Sequence, residues 1–75
     1  MIDYTPFWNT LKKSSENSYT LTIRYGLSSS TLHRLKHNKC ISMKTVNDLC
    51  RILNCEIQDI ARYVPSDHDQ PLKQT

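Results

Sequence analysis

The sequence predicts an all-α domain, and three observations carry that reading. Apolar residues recur at helical spacing, most clearly as Val46, Leu49, Cys50 and Leu53, separated by three and four positions. Strict apolar–polar alternation never runs beyond about four residues, so there is little from which to build a sheet. The 75 residues contain a single glycine, Gly26, set between Leu21 on one side and Leu27, Leu32 and Leu35 on the other. One glycine is too few for a hairpin-rich fold but enough for one turn between helices.

Taken in order, TPFWNTLKKS reads as a first helix, with Thr5 as cap and Pro6 at the first helical position, where its missing N–H costs nothing. Phe7 and Leu11, one turn apart, face inward, and Tyr4 can pack beneath them. Trp8 is either a lid on the core or part of a dimer contact. The polar stretch SSENS connects to a second helix capped by Asn17 or Ser18. There Leu21 points inward, and Thr22 is tolerated if its hydroxyl bonds back to a carbonyl one turn earlier. Ile23 is exposed, either an isolated surface residue or a spot that faces a partner.

Gly26 can enter the left-handed region without a Cβ penalty, and Leu27 plugs the turn. Ser28 caps the third helix, whose Leu32 and Leu35 face the core. That leaves Ser29, Ser30, His33, Arg34 and His37 on the opposite face, with no acid among them. Asn38 takes the left-handed cap position, and Ser42 opens a fourth helix, MKTVNDLCRILN, closed in the same way by Asn54. Cys55 drops into the core. Glu56 to Val64 is expected to form a short fifth helix with Ile57, Ile60 and Val64 on one side, stopped by Pro65. Residues 1–65 form the domain, and the polar tail 66–75 is expected to be disordered.

Composition narrows the function. A chain of 75 residues makes one small domain with no roomy cleft. It has no apolar run near the roughly 20 residues of a membrane span, and its N-terminus lacks the features of a secretion signal. Three unpaired cysteines fit a reducing compartment, so a cytoplasmic location is expected. Net charge is +3, unevenly spread. Residues 28–51 hold Arg34, Lys36, Lys39, Lys44 and Arg51 against Asp48, a balance of +4, whereas residues 52–75 hold two cations against four carboxylates, a balance of −2. The basic end suits a polyanion, although mixed charges can also simply solvate a surface.

Two short helices hinged at a glycine are the arrangement of a helix-turn-helix. The segment GLSSSTLHRLKHNK, followed by ISMKTVNDLCRILNC and DIARYV, resembles the Cro/CI-type (XRE) helix-turn-helix repressors, from about Phe7 to Pro65. The resemblance implies a compact five-helix DNA-binding domain and a dimeric transcriptional regulator that reads double-stranded DNA with its third helix. Position by position, it implies base contacts from Ser29, Ser30, Thr31 and Arg34, with His33 nearby. It implies backbone contacts from Ser18, Lys39 and Lys44, and the exposed His37 is placed with them. Serine at Ser29 and Ser30 departs from relatives that carry glutamine or arginine there. Short hydroxyls cannot make the bidentate pairs that read adenine or guanine, so direct readout rests on Arg34.

Other chemistries fit less well. His33 and His37 are four apart with Cys40 following, but Cys50 and Cys55 lack the close-paired spacing that would complete a zinc site; no metal or cofactor is expected. No nucleophile motif or phosphate-cradling glycine loop points to an enzyme or to a small-molecule substrate. The alternative from another class is a protein-interaction module, antitoxin-like or an anti-repressor subunit, using Ile23 or the Ile57, Ile60 and Val64 face. A homodimer is expected to form through Ile57, Ile60, Tyr63 and Val64.

Overall fold

Phe7, Leu21, Leu35, Leu49 and Ile60, one from each segment expected to be helical, are all at most 1% exposed and meet at the centre of the domain. The computed structural model describes residues 1–72. Its elements are β1 (Ile2–Asp3), α1 (Thr5–Lys13), α2 (Ser18–Tyr25), α3 (Ser29–Lys36), α4 (Met43–Leu53), a 3-10 turn (Ile57–Asp59) and β2 (Arg62–Tyr63). Tyr4, Leu11 and Val46 are the other buried apolar residues. Trp8, half-buried, packs edge-on against Phe7 with ring centroids 4.8 Å apart and donates its indole N–H to the Leu35 carbonyl at 3.3 Å. Trp8 is thus the lid between α1 and α3.

The local signals at the helix ends act as the residues predict. Asn17 accepts the Thr20 N–H, Ser28 that of Thr31, and Ser42 that of Thr45, each satisfying a donor that the first turn of the helix leaves open. Gly26, Asn38 and Asn54 all adopt positive φ, at 72°, 53° and 51°. Beyond the last two, Lys39 and Cys55 donate N–H groups back to Arg34 and Cys50, which consumes carbonyls at the ends of α3 and α4. Thr22 bonds its hydroxyl to the Ser18 carbonyl four residues back, at 3.1 Å. The cap of α1 differs from expectation. Tyr4 is the cap residue and makes no side-chain cap bond, while Thr5 lies inside the helix with its hydroxyl and N–H on the Asp3 carboxylate.

The expected fifth α-helix is absent among the described residues. Four α-helices are followed by one turn of 3-10 helix and a short strand, so the domain is mostly helical with a two-stranded sheet. An α-helix continuing to Val64 would need the Asp59 and Ile60 carbonyls for the N–H groups of residues 63 and 64. Both are taken by α1: the Thr10 hydroxyl donates to Asp59 at 2.8 Å and the Phe7 N–H to Ile60 at 3.2 Å. The chain therefore leaves the turn extended. Arg62 pairs with Asp3 and Tyr63 with Ile2 in an antiparallel register, reinforced by an Arg62–Asp3 ion pair at 2.8 Å. Consequently Ile57, Ile60 and Val64 do not share a face: Ile60 is fully buried, Val64 half-buried and Ile57 57% exposed.

Of the residues after Pro65, 66–72 include a turn in which the Asp69 N–H reaches the Ser66 carbonyl, and Asp69 also meets the Met1 ammonium. Residues 73–75 of the expected disordered tail lie outside the described residues.

Candidate nucleic-acid interface

α3 presents one uninterrupted polar face because its apolar residues fall on the other. Leu35 is buried and Leu32 half-buried, while Ser29, Ser30, His33, Arg34 and His37 are exposed. With about 3.6 residues per turn, Ser29, His33 and His37 form one row along the helix and Ser30 and Arg34 the row beside it. Among the described residues Arg34 has no carboxylate partner and Glu56 forms no ion pair, while Asp48 is held by Lys44 at 3.0 Å. The guanidinium fork is free to meet something outside the chain.

Two of the expected contact residues are differently engaged. Thr31 is half-buried, and its hydroxyl lies 3.0 Å from that of Ser28 within the cap of α3, so it belongs to the turn and not to the exposed face. Lys44, at the start of α4, is 84% exposed but paired with Asp48, a surface contact of small net worth that a phosphate can displace. Its Asp48 partner stays ionised because the Lys44 ammonium beside it lowers its pKa.

Ser18 is half-buried at the first turn of α2, and Lys39 is exposed just past α3. The backbone at Lys39 is fixed from two sides. Its N–H donates to Arg34, and its carbonyl accepts the Tyr4 hydroxyl at 2.8 Å. Asn38 adds a third tie, its side-chain oxygen accepting the Tyr4 N–H at 3.1 Å. This clamp joins the start of α1 to the loop after α3, and its partners lie 34 and 35 residues apart.

Arg51, counted in the basic stretch 28–51, is given no contact role by the sequence alone. It lines a hollow with Tyr25, Gly26, Ser28, Thr31 and Lys44, between the α2–α3 turn and α4. The spacing of Lys44, Asp48 and Arg51 by four and three residues was the available signal, since it puts all three on one face of α4. A second hollow, almost entirely apolar, lies between the small sheet and α4. Around it Ile2, Met43, Ile57 and Tyr63 are 42%, 68%, 57% and 68% exposed. All three cysteines are free thiols, and no group of three or more metal-ligating side chains occurs among the described residues. Among the described residues no helix is long and apolar enough to cross a membrane.

A glycine-hinged helix pair, with the second helix showing a polar, acid-free face, defines a helix-turn-helix domain. The chain belongs to the family of Cro/C1-type HTH DNA-binding domains, whose family model matches residues 7–66. A crystal structure of the transcriptional regulator VanUg is similar over 87% of this chain and 87% of that one, with a TM-score of 0.78 and 28% sequence identity. No curated protein matches the chain significantly.

Proposed function

We propose that this protein is a sequence-specific transcriptional regulator that binds double-stranded DNA as a homodimer and lays α3 in the major groove as a repressor. The observation that carries the reading is the exposed face of α3, in which Arg34 stands unpaired among hydroxyls and imidazoles. Family membership and the likeness to a transcriptional regulator support it. Ser29, Ser30 and Arg34 face base edges with His33 beside them at the border of the groove, and Ser18, His37, Lys39 and Lys44 face the phosphates. Thr31 contributes by holding the N-terminus of α3.

One helix contacts too few base pairs for useful specificity, and a two-fold axis doubles the site. The surface offered for this is the apolar one around Ile57 and Tyr63, extended by Ile2 and Met43; the buried Ile60 takes no part. Two half-sites about 34 Å apart follow from such a dimer. Selection of bound fragments from genomic DNA, followed by sedimentation with and without the selected duplex, tests both parts. Recovery of inverted repeats with dimeric sedimentation is expected. Random fragments, or a monomer at high micromolar concentration in both states, would sink the respective part.

A protein-interaction module is the second reading, favoured by Tyr19 and Ile23, which are 71% and 63% exposed and one turn apart on α2. A monomer that is not retained on heparin at moderate salt would favour it.

A further inference from the structure

On the exposed face of α3, the imidazoles of His33 and His37 lie one turn apart with ring centroids at 4.3 Å and planes inclined at 46°. We propose that His33 and His37 together form a proton-dependent site for a backbone phosphate of the nucleic acid, which the pair engages with uptake of a proton. The inference rests on the DNA-binding reading and adds to it a chemical condition on affinity.

Rings this close repel when both are charged, so the pair resists full protonation until an anion arrives. His37 is the largest influence holding His33 below its ordinary value of 6.5, followed by burial and then by Lys39 and Lys36. Near neutral pH His33 is therefore mostly uncharged in the free protein. The charged groups that act on it, His37, Lys36 and Lys39, all come from α3 and the loop after it. No carboxylate is among the groups that act on His33. α1 presents Trp8 to the Leu35 carbonyl, Glu16 ahead of α2 is met by Arg24 at 3.6 Å, and Asp48 on α4 is held by Lys44. A phosphate diester reverses the balance. It favours imidazolium, accepts charge-assisted bonds from ring N–H groups and offsets the repulsion between the rings.

Any group that gains a proton on binding makes affinity rise as pH falls, by up to about tenfold per pH unit for each proton taken up. The phosphate contact is blind to sequence, so a mixed-sequence duplex is a sufficient probe. We expect affinity for such a duplex, at fixed low ionic strength, to rise about tenfold as pH is lowered from about 7.5 to about 6, within the range in which histidine titrates. The His33→Gln/His37→Gln double variant should lose that rise. His68, the remaining histidine, is retained in both proteins, so a slope arising there would persist. In the wild-type protein the imidazole NMR titration of His33 should shift to higher pH when the duplex is saturating. That measurement decides the matter even if the variant folds poorly. The dependence of affinity on salt should also steepen at the lower pH, because one more phosphate is neutralised.

Binding that is independent of pH, or an equal slope in the double variant with melting curves unchanged, overturns the inference and leaves DNA binding intact. Failure of wild-type protein to bind any duplex across this range overturns both.

Discussion

The hydroxyl of Tyr4 donates to the main-chain carbonyl of Lys39 at 2.8 Å, spanning 35 residues, although Tyr4 itself is only 3% exposed. Burial raises the phenol above its ordinary value of 10, so it remains a donor at any physiological pH. The bond fixes the loop that ends α3. Tyr4→Phe removes the donor and leaves a partly buried carbonyl unpaired, at a cost of about 1 kcal/mol. A urea denaturation midpoint equal to that of the wild type would show that the clamp contributes nothing.

Gly26 sits at φ 72° and ψ 20°, and a Cβ built there meets no atom within 4 Å. A substitution therefore carries backbone strain without collision. Gly26→Val should cost on the order of 1 to 2 kcal/mol, and Gly26→Asn clearly less, since asparagine tolerates the left-handed region. The neighbouring turns already show this tolerance at Asn38 and Asn54. Equal melting temperatures for the valine and asparagine variants would refute the strain argument.

The parts of the fold that were legible in the sequence are those decided within a few residues. Gly26, Asn38 and Asn54 at the helix ends, and Asn17, Ser28 and Ser42 at the starts, needed only neighbours to be satisfied. The fifth helix failed because its fate is decided by Phe7 and Thr10, about fifty residues away in the chain, which capture the carbonyls it would have used. Strands of two residues are too short for any periodicity to announce them. In the site, the exposed stripe of α3 followed from helical spacing alone. The engagement of the Thr31 hydroxyl by the capping serine three residues earlier did not enter that reading.

Cysteine reactivity should separate the three thiols. Burial, and then the adjacent Cys50, pushes Cys55 up to about 11, so almost none of it is thiolate at neutral pH, whereas Cys40 is exposed. Iodoacetamide at pH near 7 should alkylate Cys40 well before Cys55. Peptide mass spectrometry showing Cys55 modified first would contradict the packing at the end of α4.

The Asp3–Arg62 pair should leave a signature in acid. Arg62, through its hydrogen bond, holds the Asp3 carboxyl below the usual 3.8, with Thr5 adding to the effect. A carboxylate with a depressed folded value contributes stability that is fully present above its unfolded value and lost as pH falls through the folded one. The contribution is thus complete above about pH 4 and fades below it. Asp3→Asn should lower the melting temperature at pH 6 and narrow the gap to wild type as pH is reduced toward 3. A gap that is constant with pH would mean the ion pair is not what ties β1 to β2.

Arg34 and Lys39 carry the same charge but stand in different places, and the proposed mode of binding gives them different work. Arg34 projects from the middle of the exposed α3 face with no carboxylate partner among the described residues. Its planar fork matches the O6 and N7 acceptors of guanine, so Arg34→Ala should cost roughly 1 to 3 kcal/mol on a selected site and much less on a scrambled one. Lys39 follows the cap of α3, its backbone held by Arg34 and Tyr4, where the chain would pass the phosphates. Lys39→Ala should weaken both duplexes alike and reduce the salt slope by about one unit. Lys44→Ala should do less than Lys39→Ala, because binding must first draw Lys44 away from Asp48. Titrations of the three variants against both duplexes at several salt concentrations check the order. Identical behaviour of Arg34→Ala and Lys39→Ala on both would remove Arg34 as the base reader, and with it the argument that specificity rests on one guanidinium set among short hydroxyls.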